Sequence, residues 1–129
     1  MGTTYVNVTI RNPAELHRSW TGKFMVDNGA FDSLLPKERM EAIGLKPRGS
    51  RDYFLADGKP VTLEATVAEI EFEGVIVGGT IVYGEEGAEP LIGVTTLKSG
   101  GFEIDPRSER LKRLPGIMMK RKDADRKAA

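Results

Sequence analysis

The chain has 129 residues, 40% of them hydrophobic, which suits one domain with its own core. Its 19 basic residues balance 19 acidic ones, so net charge directs it neither to nucleic acid nor to a membrane surface. With no cysteine and a single histidine, His17, it has no means to build disulfides, thiolate metal sites, a cysteine nucleophile or a multi-histidine metal centre.

The charge is unevenly spread: residues 112–129 hold seven Lys/Arg against two Asp, which leaves the rest of the chain acidic. The opening "MGTTYVNVTI" lacks a basic region followed by an apolar run, and no segment approaches the roughly 18 apolar residues of a membrane span. The expectation is a soluble, cytoplasmic protein without a membrane partner.

In chain order, Val6, Val8 and Ile10 alternate with Tyr5, Asn7 and Thr9, the period of a half-buried strand. Thr21-Gly22 reads as a turn before a short buried strand, Phe24 to Val26, that ends at Asp27. Leu34-Leu35-Pro36 then leads into a short helix in "KERMEAIGL", with Pro36 in its first turn, Met40 and Ile43 on one face, and Gly44 at its carboxyl end. From Arg51 to Tyr83 the pattern is strand, punctuated by Asp57-Gly58 and Glu73-Gly74, the signature of two hairpins in series. The apolar phase of the long middle strand swaps near Ala68, which predicts a bulge or kink, as where a strand leaves one sheet for another.

"EPLIGVTTLKSGGFEID" reads as an apolar pair ending at a Gly, a helical turn, a Gly-Gly stop and a strand. A turn from Pro106 to Glu109 and a last strand from Leu111 to Leu114 follow. Six or more strands with little helix imply a small all-β barrel or sandwich. The domain is expected over residues 1–115 and a basic, disordered tail over 116–129. "FMVDNGA" and "PLIGVTT" echo one another, each an apolar strand that ends at a glycine.

The chemistry available is that of carboxylates. His17 has no nucleophile motif around it, and no glycine-rich phosphate loop opens a helix. Asp27 is the notable acid, since an apolar strand delivers it into a break at Asn28-Gly29-Ala30, and aspartate is seldom buried without a purpose. A hairpin turn would explain "DNG" alone, but a returning strand does not follow. One carboxylate can act as a base, whereas amide hydrolysis also needs an acid. A second copy of the chain would supply it, because two adjacent carboxyls cannot both ionise and so share a proton.

"FMVDNGAFDSLLP" resembles the active-site segment of the retropepsin-like aspartic proteases. "LPKERMEAIGL" is similar to the helix that follows it in cellular, non-viral members, "YFLADGKPVTLEA" to their flap hairpin, and "PLIGVTTLKSGGFEIDPRSERL" to their apolar-apolar-Gly motif and closing strand. The resemblance implies an all-β retropepsin-like barrel with one or two short helices, acting as a homodimeric endopeptidase on peptides or unfolded protein, without metal or cofactor. It implies Asp27 as the catalytic acid, completed by Asp27 of a second chain, and Gly29 as the residue that lets the backbone approach closely. It places Ala30 and Asp32 along the substrate groove and Leu55, Ala56, Asp57 and Gly58 in the flap. It places Leu91, Ile92 and Gly93 beneath the active-site loop and the terminal strands in a dimer sheet.

Where the family has Thr or Ser, whose hydroxyl clamps the two aspartate loops together, this sequence has Asn28. From the residues alone, Asp32 is as well suited to an N-cap or a solvated loop. The competing reading is a dimer that keeps the fold as a peptide-binding or assembly module. Nucleic acid binding has no support beyond the basic tail, which lacks interleaved aromatics.

Overall fold

The computed structural model describes residues 4–115, as nine strands and two short helices. Strand β1 (Tyr5–Asn12) keeps the expected alternation, with Val8 and Ile10 fully buried. The chain reverses at Pro13-Ala14, where the Asn12 Oδ1 accepts the Ala14 N–H at 2.9 Å while its Nδ2 donates to the Ile43 carbonyl at 3.0 Å. Strand β2 (Glu15–Val26) then runs back along β1 without a break at Thr21-Gly22. The expected turn there is corrected: Gly22 lies opposite Val8, and a Cβ on it would come within 2.3 Å of the Trp20 ring. The glycine makes room for an indole and does not reverse the chain.

Strand β3 (Ser33–Pro36) occupies the segment read as a lead-in to the helix. It pairs in parallel with β6 (Val75–Gly84), Leu35 facing Tyr83. Helix α1 (Lys37–Ala42) follows directly and buries Met40, with Ile43 just beyond it. It ends at Gly44, whose φ of +79° suits a residue without a Cβ and whose N–H donates to the Glu41 carbonyl at 2.9 Å.

Both expected hairpins form. Strand β4 (Ser50–Phe54) pairs with β5 (Pro60–Phe72) across a loop containing Asp57-Gly58, and β5 turns into β6 at Glu73-Gly74, both with positive φ. No bulge interrupts the β5–β6 register; the swap marks the other expected event, a strand that leaves one sheet for another. Up to Glu64 strand β5 pairs with β4, from Ala65 it pairs with β6, and the buried face swaps across this handover. Near its end β5 also pairs with β1, Ile10 facing Ile70. With β7 (Leu91–Ile92) between β2 and β3, that contact closes β1-β2-β7-β3-β6-β5 into a barrel and leaves β4 as an extension. Phe24, Leu35, Ile70, Ile81 and Ile92 fill its interior, each fully buried and each worth about 1.5–3 kcal/mol relative to exposure.

After β7 (Leu91–Ile92) come α2 (Val94–Ser99), β8 (Phe102–Ile104) and β9 (Leu111–Arg113), in the expected order. Strands β8 and β9 form a separate two-stranded sheet. Met118, Met119 and the tail over 116–129 lie outside the described residues. The architecture is the expected all-β, retropepsin-like one.

Gly93, between β7 and α2, has ordinary extended backbone, so conformational freedom does not explain it. Space does: a Cβ there would lie 2.6 Å from the Asp32 carbonyl carbon and 2.8 Å from the Phe31 oxygen. These are backbone atoms and cannot swing aside. Gly93→Ala is therefore expected to cost about 3 kcal/mol, lowering Tm by about 10 °C. Gly78→Ala, at a strand position with open space around it, should leave Tm unchanged or raise it in the same thermal melt.

Candidate active site

Asp27 stands at the end of β2, half-buried, where strand gives way to a loop over residues 27–32. The two strands whose sequences echo one another are neighbours here: β2 pairs in parallel with β7, Met25 facing Leu91 and Val26 facing Ile92. The Asp27 N–H continues this ladder by donating to the Ile92 carbonyl at 3.2 Å. On the far side of the loop, the Val94 N–H donates to the Ala30 carbonyl at 2.9 Å and the Thr95 N–H to the Phe31 carbonyl at 3.1 Å. The loop thus rests on β7 and the first turn of α2 through main-chain bonds alone.

Within the loop, the Gly29 N–H donates to the Asp27 Oδ1 at 2.8 Å, and the Ala30 N–H to the Asp27 carbonyl at 3.2 Å. The first bond orients the carboxylate. A Cβ on Gly29 would contact that same Oδ1 at 3.3 Å, so glycine keeps the approach open. Asn28 is exposed and lines, with Leu97, Phe102 and Ile104, a cavity of about 160 Å³ beside α2. Its amide makes no side-chain hydrogen bond to the described residues of its own chain.

Ser33, at the start of β3, ties the underside together. Its hydroxyl accepts the Gly93 N–H at 3.0 Å and shares a 2.7 Å hydrogen bond with the Thr96 hydroxyl, and both side chains are buried. This network was not legible in the sequence, where Ser33 and Thr96 stand far apart.

Asp32 is neither solvated nor facing a groove with its carboxylate free. Its side chain is only 2% exposed, and its Oδ2 accepts hydrogen bonds from Arg51 Nη1 at 3.0 Å and from the Tyr53 hydroxyl at 2.5 Å. The negative charge raises the affinity of the Arg51 guanidinium for its proton. Tyr53 is pushed up to about 12, first by burial and then by its bond to Asp32. Arg51 and Tyr53 escaped the sequence reading, although their alternation in "SRDYF" sets them on one face of β4.

The β4–β5 hairpin carries the residues expected in the flap. Its tip is closed by the Leu55 N–H to the Lys59 carbonyl and the Gly58 N–H to the Leu55 carbonyl, both at 2.8 Å, with Gly58 at a φ of +86°. The Asp57 Oδ1 accepts the Lys59 N–H at 2.9 Å, so the tip acid builds the turn. Phe31 in the active-site loop is 63% exposed, and Phe54 and Leu55 near the tip are 80% and 50% exposed. Large apolar side chains are thus left open on two elements, one carrying the acid and the other arching from β4.

The site therefore joins an oriented carboxylate, a loop seated on main-chain bonds, and a hairpin bound to that loop through a buried acid. A comparison with curated proteins gives no match. The model of a family described as aspartyl protease matches residues 6–96, from β1 into α2, a span that includes Asp27, the hairpin and Gly93. By that match the chain belongs to the aspartyl protease family, in the retropepsin-like clan.

Proposed function

We propose that the protein is an aspartic endopeptidase, acting as a homodimer whose two-fold axis passes between two Asp27 carboxyls. The observation that carries this reading is the carboxylate at the end of β2, oriented by Gly29 and half-open on its own chain. One chain offers one such acid. A symmetric pair supplies the second in the same orientation, because an isologous contact places equal residues opposite each other.

Two carboxyls about 3 Å apart hold one proton between them. The ionised Asp27 takes a proton from the water between them as that water attacks the peptide carbonyl carbon. The protonated Asp27 hydrogen-bonds to the carbonyl oxygen and transfers its proton as the tetrahedral intermediate forms. Collapse of the intermediate expels the amine, which leaves with a proton returned by a carboxyl, and the dyad recovers its single proton. The flap over residues 55–58 covers the substrate and keeps bulk water out. The exposed Asn28 amide, with both donors and an acceptor, takes the place of the family's hydroxyl in bonding to the partner's loop.

A second reading, a peptide-binding or assembly dimer without catalysis, is favoured by the same residue, since Asn28 is bulkier than the Thr or Ser it replaces. The two readings separate on an unstructured protein substrate. Cleavage is expected to peak at mildly acidic pH, where one carboxyl of the dyad is charged and the other is not. Asp27→Asn should lower kcat by about 10³-fold, with the fold unchanged by circular dichroism. Equal inertness of wild type and Asp27→Asn from about pH 3 to 7, the range in which carboxyls titrate, would select the binding module.

The role of Asn28 has its own readout. Asn28→Ala is expected to weaken dimerisation by about tenfold in sedimentation equilibrium, the loss of two symmetry-related hydrogen bonds at about 0.7 kcal/mol each, whereas Asn28→Thr should hold the dimer and the activity.

A further inference from the structure

Asp32 has the position of a groove acid and the contacts of an anchor. Its carboxylate is buried against two side chains of β4, Arg51 and Tyr53, with the phenol hydroxyl only 2.5 Å away. Asp32 itself sits on a closely packed, hydrogen-bonded part of the site. Its neighbour Ser33 is bonded to Gly93 and Thr96, and the backbone at 31–32 packs against Gly93 too closely to admit a Cβ. On the other side, the β4–β5 hairpin has few anchors. Most of β4 and the whole tip over 54–60 are exposed, and β4 pairs with β5 alone.

We propose that Asp32 is a positioning residue, the fixed end of a clasp that holds the first flap strand over the active-site loop through Arg51 and Tyr53. The reasoning is geometric. A strand paired on one edge only is free to twist away, and two side chains of the same phase, Arg51 and Tyr53, fasten one face of β4 to the loop that carries Asp27. Leu55 follows in that alternation, so the clasp also sets which flap side chain is presented to the loop. Asp32 recognises its own flap, and a basic substrate side chain would have to displace Arg51 to reach it.

The catalytic side of this inference rests on the peptidase reading, whereas the clasp itself does not, and the test keeps them apart. Hydrogen exchange on the whole protein reports the clasp without any substrate. In Tyr53→Phe, which removes only the hydroxyl, and in Arg51→Met, the Leu55 and Gly58 amides should exchange about tenfold faster, with those of β1 and β6 unchanged. Unchanged exchange at the tip would overturn the proposal, as would acceleration spread through the barrel, the mark of a general structural role. With a peptide substrate, both variants should raise KM about fivefold and leave kcat within twofold. A fall in kcat at constant KM, or a lost preference for basic residues in Asp32→Asn with the tip still protected, would overturn it also. Should the wild type cleave nothing, the peptidase reading fails and the exchange result still decides the clasp.

Discussion

The parallel pairing of β2 with β7 is the contact on which the remaining geometry hangs. It is only two residues long, Met25 with Leu91 and Val26 with Ile92. Such a short ladder would hold little by itself, since parallel pairs are slightly weaker per residue than antiparallel ones. It holds because both strands are embedded. Strand β2 is pinned along its length to β1, while β7 lies in the barrel wall, paired on one side with β2 and on the other with β3. The ladder then runs past the strand ends into the loop, through the amides of Asp27, Val94 and Thr95. An acid at the end of an isolated strand would swing with its loop. Here the barrel wall continues beneath it.

That arrangement divides the labour among the residues around the site. Main-chain atoms place the loop, a glycine amide turns the carboxylate, and buried hydroxyls of Ser33 and Thr96 satisfy polar groups that the close packing removes from water. The exposed apolar side chains of Phe31, Phe54 and Leu55 have no part in holding the frame. Asp32 stands between the two groups: a charged residue buried at the frame, its charge answered from the exposed hairpin. The cost of burying a carboxylate is met by two donors, and because Arg51 is itself half-exposed, the pair keeps one end in water.

Much of this was legible in the sequence, and the exceptions share a cause. Alternation in β1, the Asp-Gly and Glu-Gly turns and the Leu-Ile-Gly step before α2 are local signals, and local chemistry decides them. Gly22 misled because a glycine's meaning depends on what fills the space beside it, and that is Trp20 on the same strand. Strand β3 was hidden because its partner, β6, is remote and parallel, and Leu34-Leu35-Pro36 carries no period of its own. Asp27 could be found from its setting at the end of an apolar run. The true surroundings of Asp32 could not, because "SRDYF" announces a strand and says nothing of which loop its polar face will meet. The echo between "FMVDNGA" and "PLIGVTT" was visible before its meaning was, since only the fold sets the two segments side by side.

Gly93 carries a further consequence. The nearest neighbours of its missing Cβ are carbonyl atoms, so what it protects is an approach of backbone to backbone. Carbonyls and amides are the part of a protein that every sequence supplies. A site whose acid is located by them can exchange side chains at its surface, including Thr or Ser for Asn28, without moving the acid. The scaffold thus separates where the chemistry stands from what it acts on, and drift in the second need not erode the first.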